Sequence, residues 1–140
     1  MKILAIDFGD KRIGLALSDP LGFTAQGLET LPNQGPTQVL DALSRLCKNH
    51  EVGEVVIGLP INMNGSVGER AKNILELIPK LERSLGIPVK TWDERLTSRE
   101  VGRLMIEEGL SRKKQKEKSD LLSATIILQS YLEKKRLEKR

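Results

Sequence analysis

The chain has 140 residues, of which 39% are apolar and 30% are charged, and its formal net charge is +4. This length suits one domain with a buried core, and no apolar run approaches the ~20 residues that a membrane-spanning helix needs. One cysteine and one histidine exclude an intrachain disulfide and a Cys/His zinc site built by one chain. Because the first apolar run ends at Asp7 without the features of a signal peptide, we expect a cytoplasmic protein without membrane contact.

Short apolar runs separated by turns occupy the first part of the chain. Residues 2–8 predict a central strand that is buried on both faces. A turn at residues 9–11 leads into a second apolar run at 12–18, so the two runs predict an antiparallel hairpin. Residues 27–31 predict a third, shorter strand.

Helices then alternate with two further strands. Pro36 begins a helix whose apolar residues recur at helical spacing, and a short buried strand is predicted at 54–58. A second helix is predicted over 67–85, with Pro79 expected to kink or divide it. Gly86 is expected to end this helix.

Three elements complete the predicted order βββαβαβαα: a strand at 87–92, a helix from 97 or 98 to 108, and a last helix from 120 to about 134. Right-handed crossovers place the fourth strand beside the first and the fifth outside it. The prediction is therefore an α/β fold with a five-stranded mixed sheet of order 3-2-1-4-5, its first three strands antiparallel and its faces flanked by helices. The carboxyl ends of strands one, four and five share one edge, where open α/β sheets bind ligands.

Positive charge is concentrated near the C-terminus. Residues 111–140 carry ten Lys and Arg against four acids, whereas residues 1–110 carry thirteen against fifteen. This asymmetry predicts a polyanionic partner, with residues 111–118 contacting phosphates and residues 134–140 forming a solvated helix end. The phosphate contacts expected in the first of these two segments are Lys113, Lys114, Lys116 and Lys118.

Acidic residues lie at the predicted carboxyl edge of the sheet. Asp7 is at the end of the first strand, where an unpaired buried acid would be costly. Asp93 and Glu94 close the fifth strand, and alternation lets only one of them face the side of Asp7, although a salt bridge is an alternative role for Asp93. Asp120 opens the last helix, where an acid also suits the helix dipole. Three carboxylates without His or Cys suit a hard divalent cation, Mg²⁺ or Mn²⁺.

This set of residues predicts phosphodiester chemistry. Two metal ions roughly 3.5–4 Å apart can activate a water and stabilise the leaving oxygen of a phosphodiester. The loop at 62–66 precedes a helix and could bind an anion, although a plain left-handed turn at Asn64-Gly65 is the alternative. Basic residues near the acids and this loop are expected to contact phosphates, namely Lys11, Arg12, Arg70 and Arg95.

Several motifs resemble those of the YqgF family. The segment 7–19, DFGDKRIGLALSD, resembles the opening of that family, and the segments 58–60, 62–66, 93–98 and 118–120 match in order and spacing. The family is described as pre-16S rRNA nucleases or as RuvC-like Holliday-junction resolvases. The resemblance spans nearly the whole chain.

The resemblance implies a single ribonuclease H-like nuclease domain over residues 1–140, in agreement with the predicted sheet order. It places the family's three metal-binding, catalytic acids at Asp7, Glu94 and Asp120, and so favours Glu94 over Asp93. It also implies an endonuclease or exonuclease that matures the 5′ end of pre-16S rRNA in ribosome biogenesis. We expect the protein to act on structured nucleic acid as a monomer or weak homodimer.

Two other functions remain open. One is a DNA junction resolvase that uses the same three acids, and the other is a nucleic-acid-binding ribosome-assembly factor without catalysis. RuvC-type resolvases commonly carry a fourth acid near the last one, whereas here no acid follows Asp120 before Glu133. The spacing from Asp7 through Gly9 to Gly14 also resembles the first phosphate loop of actin-like ATPases, but 140 residues cannot supply their second large domain.

Overall fold

The computed structural model describes residues 1–97 and 119–138, in which five strands form one mixed sheet of order β3-β2-β1-β4-β5. The strands are β1 (Lys2–Phe8), β2 (Arg12–Ser18), β3 (Ala25–Pro32), β4 (Val52–Leu59) and β5 (Val89–Asp93). β1 pairs antiparallel with β2 and parallel with β4, while β2 pairs antiparallel with β3 and β4 parallel with β5. The predicted sheet order and strand directions are confirmed.

In the described part of the chain, three helices cover the two faces of this sheet: α1 (Pro36–Asn49), α2 (Glu69–Leu85) and α3 (Ser119–Glu138). A short 3₁₀ helix, Glu94–Leu96, follows β5 directly. None of the helices in the described ranges is long and apolar enough to cross a membrane.

Alternating residues of β1 enter two separate cores. Leu4 and Ile6 pack with buried residues of α1 and α2 on one face. Ile3 and Ala5 pack with buried residues of α3 on the other. The prediction that β1 is buried on both faces is therefore confirmed, and the same alternation directs Asp7 towards the face that α3 covers.

Helix α2 differs from its prediction at Pro79, and it begins at Glu69 rather than at residue 67. The helix runs unbroken from Glu69 to Leu85 with Pro79 inside it, so a division at that proline is wrong. Proline removes only the bond to the carbonyl four residues earlier, which belongs to Leu75, and both Leu75 and Pro79 are exposed positions of the helix. Gly86 ends the helix in a left-handed conformation, as predicted.

The other boundaries shift by a few residues. β3 covers Ala25–Pro32 rather than 27–31, and β5 covers Val89–Asp93 rather than 87–92. The helix predicted to end at 108 lies outside the described residues. So does the basic segment 111–118 with its four expected phosphate contacts, Lys113, Lys114, Lys116 and Lys118.

Candidate functional site

Two carboxylates from distant parts of the chain meet at the carboxyl edge of the sheet. Asp7 lies near the end of β1, opposite Gly14 of β2. Glu94 begins the 3₁₀ helix that follows β5. The Glu94 carboxyl is in hydrogen-bonding contact with Asp7, although β4 separates their two strands in the sheet. The expected convergence of these two acids is therefore present.

The surroundings of Glu94 favour its protonated form. Burial raises the pKa of Glu94, and the negative charge of Asp7 raises it further. The positive charge of Arg70 acts in the opposite direction and lowers this pKa. Since two adjacent carboxylates repel each other, the pair is stabilised by a shared proton or by a cation.

Gly58, near the end of β4, makes room for the contact between the two acids. A Cβ atom at this position would lie 3.1 Å from Oε1 of Glu94 and 2.6 Å from Cδ1 of Ile127 in α3. β4 lies between β1 and β5. A residue without a side chain therefore lets the Glu94 carboxylate extend across β4 towards Asp7.

Asp93 takes no part in this contact. Its Oδ1 accepts a hydrogen bond from the Arg95 amide at 2.9 Å, and its Oδ2 forms an ion pair with Nη2 of Arg95 at 2.7 Å. The hydrogen bonds from Arg95 lower the pKa of Asp93. Asp93 thus caps the 3₁₀ helix, while Glu94 faces Asp7.

Among the expected phosphate contacts, Arg70 acts electrostatically on Glu94 of the acid pair. It stands in the first turn of α2, where its Nη2 donates a 2.9 Å hydrogen bond to the Phe8 carbonyl at the end of β1. Lys11 and Arg12 are exposed at the turn between β1 and β2. Arg95 is instead engaged with the neighbouring carboxylate described above.

The loop that follows β4 is organised by its own hydrogen bonds. The Gly65 amide donates to the Asn62 carbonyl at 2.8 Å, and the Ser66 amide donates to Oδ1 of Asn64 at 3.0 Å. Gly65 has a φ of 86°, which places it in the left-handed region. The left-handed turn that was the alternative at Asn64-Gly65 is the conformation observed.

The third predicted acid, Asp120, belongs to the first turn of α3, but its side chain lies outside what the structure describes. Within the described ranges no group of three His, Cys, Asp or Glu residues could hold a metal ion. The donors that do meet, Asp7 and Glu94, offer carboxylate oxygens, and their mutual repulsion favours a bound cation. This chemistry fits a hard divalent cation such as Mg²⁺ or Mn²⁺.

Sequence reasoning missed two features of this site. The role of Gly58 was not predicted, although a glycine at the end of a buried strand is a known sign of close approach. The bond from Arg70 to the Phe8 carbonyl was also missed, because no local pattern links α2 to the end of β1.

A mixed sheet of this order, with an acidic pair at its carboxyl edge, defines a protein of the ribonuclease H-like nuclease class. The chain belongs to the RuvX family, whose model, described as "Holliday junction resolvase", matches residues 1–134. The predicted family resemblance is confirmed.

Relatives from bacteria agree with this assignment. A protein of Clostridium acetobutylicum named "Putative pre-16S rRNA nuclease" is 47% identical over 132 residues, which cover 94% of this chain and 98% of the relative. A protein of Halothermothrix orenii with the same name is also 47% identical over 132 residues, covering 94% of each chain. The names and the family description agree with the predicted enzyme class, a nuclease that acts on phosphodiester bonds.

Solved structures show the same fold at low identity. RuvC of Thermus thermophilus has a TM-score of 0.69 with 14% identity, and the alignment covers 99% of this chain and 97% of that one. A fowlpox virus resolvase in complex with Holliday junction DNA has a TM-score of 0.62 with 15% identity, covering 96% and 98% of the two chains. The ribonuclease H-like fold is thereby confirmed.

Proposed function

We propose that this protein is a metal-dependent nuclease that hydrolyses phosphodiester bonds in structured RNA and matures the 5′ end of pre-16S rRNA. The observation that carries the proposal is the contact between Asp7 and Glu94 at the carboxyl edge of the sheet, with Arg70 beside it. The names of the relatives support this substrate. Such a substrate would place the protein in the cytoplasm.

Asp7, Glu94 and Asp120 would hold Mg²⁺ or Mn²⁺ through carboxylate oxygens. When bound, the ions would supply an activated water and stabilise the leaving oxygen of the phosphodiester. Without them, burial and the charge of Asp7 raise the pKa of Glu94, which favours a proton shared between the two acids. The acids are therefore already placed together before substrate and metal arrive.

Arg70 would bind a phosphate next to the acids. An arginine carries five N–H donors, so the bond to the Phe8 carbonyl leaves further donors for a phosphate. That bond also restricts the position of the guanidinium, so less conformational entropy is lost when substrate binds. Arg70 thus combines positive charge with a fixed position at the acid pair.

Other cations would bind the flanking phosphates. Lys11 and Arg12 are exposed on the turn that follows β1, close in sequence to Asp7. Arg95 would first have to exchange its ion pair with Asp93 for a phosphate, so we expect it to contribute less. The basic residues of segment 111–118 complete the proposed contacts, namely Lys113, Lys114, Lys116 and Lys118.

Cleavage of a precursor-rRNA 5′ fragment in Mg²⁺ or Mn²⁺ tests the proposal. We expect Asp7→Asn and Glu94→Gln to abolish cleavage while RNA affinity is kept or slightly increased. Asp41→Asn, at an exposed position of α1, is the matched control and should cleave like the wild type. Equal residual cleavage by the wild type and Asp7→Asn would refute the proposed site.

A Holliday-junction resolvase is the second candidate, because the family description names that activity. A four-way DNA junction assayed in parallel distinguishes the two. Cleavage of the junction alone, at symmetric positions, would establish the resolvase. Tight RNA binding by wild type and variants without metal-dependent cleavage would instead support a ribosome-assembly factor.

A further inference from the structure

A cavity of about 250 Å³ lies at the carboxyl edge of the sheet, on the face that α1 and α2 cover, between the start of α1, the first half of α2 and the turn after β1. Its apolar lining includes Val39 and Ile74, which are 3% and 5% exposed. Its polar lining includes Asp10, Asn33 and Asn73. The cavity thus combines apolar walls with a few polar groups, as small-molecule sites do.

Arg70 links this cavity to the acid pair. It lines the cavity together with Phe8, and its guanidinium donates to the Phe8 carbonyl at 2.9 Å. The same guanidinium acts electrostatically on Glu94. A nucleotide whose phosphate lies between Arg70 and the acids would therefore have its base, or the adjacent one, next to the cavity.

We propose that this cavity receives one unpaired nucleobase of the substrate strand, next to the phosphodiester that is cleaved. This inference rests on the proposed nuclease function. The volume is below the ~300–1,000 Å³ typical of pockets for drug-sized ligands, so it suits a single base or nucleoside. A base has apolar faces and a polar edge, which match the lining, and proteins recognise RNA mainly through such unstacked bases.

The polar groups of the cavity favour a base that presents hydrogen-bond donors. An ionised Asp10 only accepts hydrogen bonds. Asn33 already donates through Nδ2 to the Gly9 carbonyl at 2.9 Å, which directs its Oδ1 to serve as an acceptor. Adenine, cytosine and guanine carry exocyclic amino groups, whereas uracil does not. The cavity should therefore prefer an amino-bearing base, such as adenine or cytosine, over uracil.

Binding is measured by titrating ¹⁵N-labelled protein with AMP, CMP, UMP and inorganic phosphate, without a divalent cation. We expect saturable shifts of the Asn73 and Ile74 amides with AMP and CMP, and affinities about tenfold lower for UMP and phosphate. Asn73→Leu should weaken AMP binding by about tenfold, because it fills the cavity and removes a polar group. Glu76→Leu, on an exposed α2 position outside the cavity, should leave it unchanged.

Absence of saturable shifts at these amides, or equal AMP affinity for wild type and Asn73→Leu, would overturn the inference. Cleavage-site mapping provides a second test, with RNAs that differ only in the unpaired base beside the cut. We expect the wild type to prefer adenine or cytosine there and Asn73→Leu to lose the preference, while Glu76→Leu retains it.

The two proposals fail in different ways. If the wild type and Asn73→Leu cleave equally and neither prefers a base, the nucleobase site is overturned and the proposed nuclease function stands. A wild type that binds AMP at Asn73 but cleaves no nucleic acid overturns the nuclease and upholds a nucleobase site on this surface.

Discussion

Gly58 lies directly against the carboxylate of Glu94, so that a Cβ atom at position 58 would stand 3.1 Å from Oε1. The same atom would stand 2.6 Å from Cδ1 of Ile127, closer than packed carbon atoms tolerate. The contact between Asp7 and Glu94 therefore requires a residue without a side chain at position 58, in the strand between them.

Gly58→Ala should reduce both stability and cleavage. Overpacking against Ile127 should cost about 1–3 kcal/mol of unfolding free energy, measured by urea denaturation. The displaced Glu94 carboxylate should reduce cleavage by at least about tenfold. In the double variant Gly58→Ala/Ile127→Val, the loss of unfolding free energy should be smaller than the sum of the losses in the two single variants. Its cleavage should stay as low as that of Gly58→Ala. Full recovery of cleavage would show that Glu94 is not displaced.

Glu94→Gln should stabilise the protein in the absence of divalent cations. The pKa of Glu94 is raised in the fold, so ionisation of Glu94 destabilises the folded state as pH rises through and above that raised value. At pH 7 in EDTA the variant should melt about 2–4 °C above the wild type. The difference should vanish as pH falls below the unfolded value of about 4.3, where both states carry the proton. An unchanged difference at low pH would contradict this electrostatic origin.

Arg70→Ala should weaken RNA binding and reduce its dependence on salt. Loss of one phosphate contact lowers the slope of log affinity against log salt concentration by about one. Arg70→Lys keeps the charge but not the planar guanidinium, so its slope should be close to that of the wild type while its cleavage is lower. A slope for Arg70→Ala equal to that of the wild type would remove Arg70 from the interface.

Asp93→Asn should show that the two neighbouring acids have different roles. Asparagine can still accept the Arg95 amide hydrogen bond through Oδ1, so only the ion pair with Arg95 is lost, which should cost less than about 1 kcal/mol of stability. Cleavage at saturating metal should stay within about threefold of the wild type, because Asp93 does not contact Asp7. If Asp93→Asn were as inactive as Glu94→Gln, the assignment of Glu94 would be wrong.

The thiol of Cys47 should be inert in the folded protein. It is 7% exposed, and burial raises its pKa to about 11. At pH 8 its reaction with a disulfide reagent should be at least about 100-fold slower than that of free cysteine. Addition of denaturant should restore the fast rate. Fast labelling without denaturant would mean that α1 opens easily from the sheet.

Much of the fold follows from local pattern and handedness. The apolar run at 2–8 and the short turn after it predict the β1–β2 hairpin, and the right-handed crossover rule then orders the sheet. The position of Asp7 follows in turn, since the end of a central strand lies at the ligand-binding edge. The unbroken helix at Pro79 could not be predicted, because it depends on how α2 packs and on which of its positions are left exposed.

The choice between Asp93 and Glu94 could not be made from strand alternation. β5 ends at Asp93, and the chain turns into a 3₁₀ helix at the next residue, so alternation no longer applies to Glu94. The ion pair with Arg95 then holds Asp93 away from Asp7. The role of Gly58 could not be predicted either, because the residues that it contacts, Glu94 and Ile127, are remote in sequence.

The two acids differ in how firmly the fold holds them. Asp7 belongs to the middle strand of the sheet, whereas Glu94 follows β5, a five-residue strand that pairs with β4 alone in the described part of the sheet. Outer strands open more readily than central ones. Fraying of β5 would therefore separate Glu94 from Asp7 at a temperature below that at which the domain unfolds. On heating, cleavage activity should be lost before the helical circular dichroism signal.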